Sequence, residues 1–401
     1  MEQSGLKNIF DSYISKRDIF KNKDVLSIQF TPDNIPHRDP QIKQVALILA
    51  PTLRNEKPSN IFIYGKTGTG KTLVIKNIIK TLTKTAEDSN TNLKIIYINC
   101  KMQKITDTEY RLLTRLINEF GESVPYTGLP TNELYKKLFG HLEVGPENII
   151  IVLDEVDSLI NKIGDEVLYN LTRINQELRK TKLALIGISN NLTFVESLDP
   201  RVRSSLSEEE IVFPPYNATQ LKDILSVRAE GAFVSKTLSP GVIAKCAALA
   251  AQEHGDARKS LDLLRVSGEM AEREGTSFVT EAHVDLAQRK LDTDRFMETI
   301  RTLPKQSQAV FMAILNMYLG GRQGTQTGAV YDAYSTICSN SGIKPLTQRR
   351  VSDLISELES SGIINTSVTS KGRYGRTRMI NIPLSEGLVK KMKIFLLKEF
   401  S

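Results

Sequence analysis

The 401-residue chain is poor in the residues that build metal centres and covalent cross-links. It has three cysteines, Cys100, Cys246 and Cys338, and four histidines. The cysteines lie far apart, and none has metal-ligand spacing to a histidine. This argues against a structural zinc and against a disulfide framework. No apolar run reaches the length of a membrane span. Residues 1–11 lack the apolar stretch behind positive charge that marks a secretory leader. Internal repeats and low-complexity tracts are absent. What is there is the composition of a soluble globular protein, 40% hydrophobic and 25% charged, with a formal net charge of +7. The length favours two or three domains over one. The basic balance permits nucleic-acid binding without establishing it.

One short stretch carries most of the chemistry. Gly65-Lys66-Thr67-Gly68-Thr69-Gly70-Lys71-Thr72 follows the apolar run Ile61-Phe62-Ile63-Tyr64 and precedes a helical pattern. This is the arrangement of a phosphate-binding loop. Backbone N–H groups curl around phosphate oxygens, and the glycines allow the turn and the close approach. Lys71 brings positive charge to the β- and γ-phosphates, Thr72 offers a hydroxyl to Mg²⁺, and the next helix points its positive end at the anion. About eighty residues on, Ile149-Ile150-Ile151-Val152-Leu153 reads as a strand buried on both faces and ends in Asp154-Glu155. Asp154 is expected to hold the Mg²⁺ shell, and Glu155 to orient and deprotonate an attacking water.

Strand patterns recur at 61–64, 95–98, 149–153, 183–188 and 211–213, separated by helical stretches that include 39–53. Alternation of this kind predicts a parallel sheet covered on both faces. After Pro214-Pro215 the strands stop, and 217–303 reads as helices only. Ser239-Pro240 and Thr280-Glu281 look like helix starts. From 304 onward the pattern predicts three helices, the third over 346–360, followed by a β-hairpin over 363–383. The expected organisation is therefore a mobile segment over 1–25, a sheet domain over 26–216, a helical domain over 217–303 and a winged helix over 304–401.

The third helix of that last domain carries Val351, Leu354, Ile355 and Leu358 on one stripe. At 100° per residue Arg349 falls almost opposite the stripe, and Arg350 falls to one side. Thr347, Gln348, Arg349 and Arg350 occupy its start, where a recognition helix meets base edges. The hairpin adds Lys371, Arg373, Arg376 and Arg378, with Tyr374 at the tip. A cationic tip with an aromatic residue suits a minor groove. These residues form the candidate DNA surface.

The order of parts resembles an AAA+ ATPase of the initiator clade, and more narrowly the archaeal origin-recognition initiator family, related to the eukaryotic origin recognition complex and its helicase-loading relative. The motifs run over nearly the whole chain. They are Ile35-Pro36-His37-Arg38-Asp39, the phosphate loop, Leu153-Asp154-Glu155-Val156-Asp157, Gly187-Ile188-Ser189-Asn190-Asn191, the 198–206 stretch, Phe213-Pro214-Pro215-Tyr216, and the 255–264 stretch with Arg258. The resemblance implies an α/β AAA+ parallel-sheet domain, a helical lid and a C-terminal winged helix. It implies ATP/ADP and Mg²⁺ as cofactors and slow hydrolysis that acts as a switch. Asn190 would help hold water near the γ-phosphate, and Arg258 would reach the nucleotide from the lid. Ile35, His37, Arg38 and Tyr216 would line the nucleotide. An arginine finger is expected at Arg201 or Arg203. Residues 101–139, with Lys101, Lys104, Arg111 and Arg115, correspond to an insertion that faces either DNA or water. Implied partners are double-stranded origin DNA, the replicative helicase and other initiator copies, in the cytoplasm on the nucleoid and away from membranes. The alternatives are a winged-helix transcriptional regulator NTPase and a protein-binding subunit of a helicase or clamp loader.

Overall fold

β1 (Asn60–Tyr64), β2 (Leu93–Asn99), β3 (Asn148–Asp154), β4 (Lys182–Ser189) and β5 (Glu208–Val212) form one parallel sheet in the order β2-β3-β4-β1-β5. The order follows burial. β1 and β3 are buried at every position, so each needs neighbours on both sides and cover on both faces. β5 tolerates an edge because Glu209 and Glu210 are exposed while Ile211 turns inward.

The period of two sorts side chains between the faces. Ile61, Ile63, Ile150 and Val152 join one core with α1 (Asp39–Leu49) and α2 (Lys71–Asp88). Phe62, Tyr64, Ile149, Ile151 and Leu153 join the other. That second core is closed by α3 (Glu109–Asn118), α4 (Thr131–Val144), α5 (Val156–Ile163), α6 (Glu166–Glu177) and α7 (Pro200–Leu206). The helix expected over 39–53 is α-helical only to Leu49 and tightens to a 3₁₀ turn over Ala50–Arg54. Pro51 has no N–H to extend the α ladder.

The computed structural model describes residues 19–101, 108–125, 127–206, 208–321, 325–370 and 376–400. They fall into two compact units, Met1–Val284 and Asp285–Ser401. No helix among the described residues is long and apolar enough to cross a membrane. The first unit ends in the lid helices α8 (Ala218–Ala232), α9 (Val242–Gln252) and α10 (Ala257–Glu274), followed by the start of α11 (Glu281–Thr302). α9 begins after Gly241, at φ 95°, and not at the expected Ser239-Pro240.

Part of the segment expected to be mobile is docked on the lid. Ile19 and Phe20 are buried, and Phe20 stacks on Phe233 with ring centroids 4.6 Å apart. Lys23 pairs with Glu272 at 2.6 Å. Two aromatic rings and an ion pair outweigh the polar look of the segment.

The second unit takes in the end of α11. Ile300 is buried there, and Phe296 and Met297 pack on the same core, so the division lies within this helix and before the expected 303. It continues through α12 (Lys305–Leu319), β6 (Thr325–Gln326), α13 (Thr327–Asn340), α14 (Gln348–Ser360), β7 (Asn365–Ser370), β8 (Arg376–Asn381) and α15 (Glu386–Phe400). The strands form an antiparallel sheet in the order β6-β8-β7. Three helices with a hairpin behind the third make a winged helix.

Candidate functional site

The phosphate loop bridges β1 and α2. Gly70 caps α2 in the left-handed region at φ 90°. A Cβ on Gly68 would fall 1.7 Å from Asp256 Oδ1, so only glycine fits that turn. Lys71 is 5% exposed, and its Nζ donates to Gly65 O at 2.6 Å, Lys66 O at 2.8 Å and Asn190 Oδ1 at 2.9 Å. Burial pulls its pKa down to about 8.

Across the sheet, Thr72 Oγ1 donates to Asp154 Oδ2 at 3.0 Å. The Tyr97 phenol donates to the same oxygen. Burial, together with Asp154, pushes the Tyr97 pKa far up, so it stays a donor. Thr72 and Asp154 thus supply adjoining hard oxygens of the kind Mg²⁺ takes. Glu155 follows at φ 56°, ψ 46°, a left-handed conformation uncommon for a residue with a Cβ. Its Oε2 lies 3.3 Å from Lys101 Nζ.

The lid closes the third side. Asp256 accepts from the N–H groups of Arg258 at 2.7 Å and Lys259 at 3.3 Å and so caps α10. The Ala257 N–H donates to Gly68 O at 3.2 Å, which lays the start of α10 on the phosphate loop. Arg258 then lines one cavity of about 450 Å³ with Thr67 to Thr72, Asp154, Glu155, Asn190 and Tyr216. A cavity of this size suits a nucleotide.

The opposite wall mixes apolar side chains, among them Ile28, Phe30, Ile35, Ile224, Val227 and Leu261, with polar ones such as Gln29, Asn34 and Arg228. Of the segment expected beside the nucleotide, Ile35 lines the cavity, whereas His37 and Arg38 are not among its lining residues. His37 pairs with Asp223 of α8 at 3.0 Å, and Arg38 is buried behind the loop. Sequence reading missed Phe30, Val227 and Tyr97. Tyr97 was findable, because β2 runs beside β3 with Asn99 opposite Asp154.

Arg201 is engaged locally. Its Nε and Nη2 reach the two oxygens of Asp199 at 3.1 and 3.2 Å. Arg203 is exposed and makes no ion pair among the described residues. In the 101–139 region α3 buries Leu112, Leu113, Leu116 and Ile117, and Arg115 pairs with Glu119 at 2.5 Å. Lys104 lies outside the described residues.

In the second unit, Thr347 caps α14 by accepting from the Arg350 N–H at 3.4 Å. Gln348 and Arg349 are exposed, while Val351, Leu354, Ile355 and Leu358 are buried. Arg350 is drawn along its own helix to Asp353 at 3.7 Å and Glu357 at 3.2 Å. Arg378 Nη1 donates to Ser356 Oγ at 2.8 Å, and Nη2 lies 4.0 Å from Glu359. Lys371, Arg373 and Tyr374 lie outside the described residues, as does the side chain of Arg376.

Known proteins share this arrangement along its length. Family models match in series: an AAA domain over residues 54–194, a Cdc6 AAA+ ATPase-type lid domain over 222–289, and the CDC6 C-terminal winged helix domain over 298–392. An ORC1-type DNA replication protein of Pyrococcus abyssi (strain GE5 / Orsay) is 54% identical over 385 residues, covering 95% of this chain and 91% of the relative. ORC1-type DNA replication protein 1 of Archaeoglobus fulgidus is 51% identical over 384 residues, covering 96% and 93%. The solved structure of the Aeropyrum pernix ORC1 protein in complex with DNA has a TM-score of 0.83 and 44% identity, covering 95% of this chain and 98% of that one. Likeness this even through sheet, lid and winged helix has one reading: the chain belongs to the Cdc6/ORC1-type AAA+ family.

Proposed function

We propose that the chain is an ATP-regulated replication initiator that binds double-stranded origin DNA and recruits or loads the replicative helicase. The observation that carries this reading is the pairing, in one chain, of a converged phosphate site with a winged helix that holds Arg349 exposed at the start of its third helix. The relative solved with DNA supports the same reading.

Lys71 would exchange its carbonyl partners for the β- and γ-phosphates, and Thr72 and Asp154 would hold Mg²⁺, which would neutralise phosphate charge. Glu155 takes the proton of the attacking water, and Asn190 helps to place that water. Arg258 reports the state of the phosphates to the lid, so the angle between sheet domain and lid differs between ATP and ADP. Hydrolysis is slow and serves as a switch. An arginine from a neighbouring copy on DNA completes the site. Gln348 and Arg349 of α14 face the major groove, and the hairpin reaches along a minor groove. The protein works in the cytoplasm on the nucleoid.

Footprinting of the purified full chain on genomic DNA of its source, with ATP and with ADP, tests this. Protection at a few repeated sites that changes with the nucleotide is expected. Uniform, weak protection in both nucleotides would turn the reading towards a protein-binding loader subunit.

A further inference from the structure

Arg38 is a buried cation without a buried anion. It is 1% exposed, and it makes no ion pair with a carboxylate among the described residues. Three main-chain carbonyls hold it. Nε donates to Thr69 O at 2.9 Å, Nη2 to Pro214 O at 2.6 Å and Nη1 to His37 O at 3.5 Å. Its guanidinium carbon lies 3.9 Å from the centre of the Tyr216 ring and 5.5 Å from that of Phe213. Desolvation lowers its pKa below the ordinary arginine value. A charge removed from water and met by carbonyl dipoles, ring faces and the Tyr216 phenol is costly to keep. It persists only where the surroundings hold it in place.

Those surroundings join the phosphate loop to the start of the lid. Thr69 is in the phosphate loop. Pro214 and Tyr216 belong to the 213–216 strap that leads from β5 to α8. Tyr216 in turn fits against the turn before α10: its N–H donates to Gly255 O at 3.3 Å, and a Cβ on Gly255 would fall 2.3 Å from Tyr216 O. Gly255 is followed by Asp256, which caps α10, and then by Ala257 and Arg258. The neighbour of Arg38, His37, reaches Asp223 of α8.

We infer that Arg38 is the positioning residue that couples the phosphate loop to the lid arginine Arg258, through Tyr216 and the 213–216 strap. The inference rests on the ATP reading given above. Phosphate binding moves or stiffens the Thr69 carbonyl, and the guanidinium plane carries that change to Tyr216 and the start of α10. A triphosphate on the loop also brings the negative charge that the buried cation lacks. Arginine is needed because its fork donates in two directions while its face stacks, whereas a lysine would keep the charge and lose both.

The test uses the full chain and three readouts: ATP affinity, the difference in small-angle scattering between ATP and ADP, and a double-mutant cycle with Arg258→Ala. Arg38→Lys and Arg38→Gln should each weaken ATP by about tenfold and shrink the scattering difference. In the cycle the losses should be less than additive, since either change breaks one chain of contacts. Tyr216→Leu breaks the same chain from the other side and serves if Arg38→Gln does not fold. A folded Arg38→Lys or Tyr216→Leu with unchanged ATP affinity and scattering difference overturns the inference, and so does full additivity with Arg258→Ala. Lys71→Ala separates the two levels. If it binds ATP normally, the nucleotide reading itself fails. If it loses ATP while the Arg38 and Tyr216 variants keep wild-type behaviour, only the coupling fails.

Discussion

Lys71 Nζ donates to Asn190 Oδ1 at 2.9 Å, although 119 positions separate the two residues. The contact follows from strand pairing. β1 and β4 run in parallel with Tyr64 opposite Ser189, so the loop after β1 and the residue after β4 emerge side by side. The other partners of Lys71 are the carbonyls of Gly65 and Lys66. Burial of the ammonium away from water, only partly offset by the Asp154 carboxylate, is why its pKa falls to about 8.

That depression has a sign that can be measured. Phosphates stabilise the charged form, so ATP binding raises the Lys71 pKa. Above about 8 the free site is deprotonated and must take up a proton to bind. ATP affinity should therefore be level below that value and fall as pH rises through it, by up to about tenfold per pH unit. Calorimetry in buffers of different ionisation enthalpy should show proton uptake on the alkaline side. Lys71→Ala should remove this dependence and weaken ATP binding by about 2–5 kcal/mol. An affinity that stays flat across the titration of Lys71 would exclude this linkage.

In the proposed mechanism Glu155 acts on water and not on binding. Its carboxylate sits at the C-terminal end of β3 in the same cavity as Lys71 and Asp154. Glu155→Gln keeps the shape and removes the base, so ATP affinity should hold while phosphate release falls by about 10²–10⁴-fold. Normal turnover would remove Glu155 from the chemistry.

The sheet and its chemistry were legible because the central strands β1, β3 and β4 are nearly pure apolar runs and because the phosphate loop needs fixed residues at fixed spacing, whereas β5, which opens on Glu208-Glu209-Glu210, showed only its apolar end. Five strands were anticipated to within a few positions. The C-terminal helix α15 and the two-residue β6 were not. Nothing local in Thr325-Gln326 distinguishes a strand, and its pairing with Met379 and Ile380 is set by tertiary structure. Site residues were legible where a motif forces them and invisible where packing does. Phe30 and Val227 reach the cavity from segments with no signature. Arg38 was placed beside the nucleotide by its motif, whereas burial puts it behind the loop. Its role depends on Thr69, Pro214 and Tyr216, which no local pattern connects to it.

The two candidate finger residues differ in what they already hold. Arg201 makes a two-pronged pair with Asp199, and that pairing raises its pKa. Arg203 is exposed with no ion pair among the described residues. An arginine that must reach a neighbour's phosphate should not first have to break a pair. On DNA, ATPase per molecule should rise with protein concentration. Arg203→Ala should abolish the rise, and Arg201→Ala should retain it. The opposite ranking would assign the finger to Arg201 in spite of its local pair.

The winged helix sorts its arginines in the same way. Arg350 is held by Asp353 and Glu357, and Arg378 by Ser356 and Glu359, whereas Arg349 is exposed at the start of α14. Arg378 therefore ties β8 to α14, while Arg349 is the arginine that the proposed function assigns to DNA. Their substitutions should differ in kind. If Arg349 holds a phosphate, Arg349→Ala should reduce the magnitude of the log-affinity against log-salt slope by about 0.9. If it reads a base edge, the loss should be about 1–3 kcal/mol on origin DNA, with relaxed preference at one position. Arg378→Ala should weaken every sequence while leaving the salt slope unchanged, because no counterion is released where no phosphate is touched. Titrations of both variants at several salt concentrations separate these cases. A reduced slope for Arg378→Ala would show that the arginine leaves Ser356 and Glu359 and reaches the backbone when DNA binds.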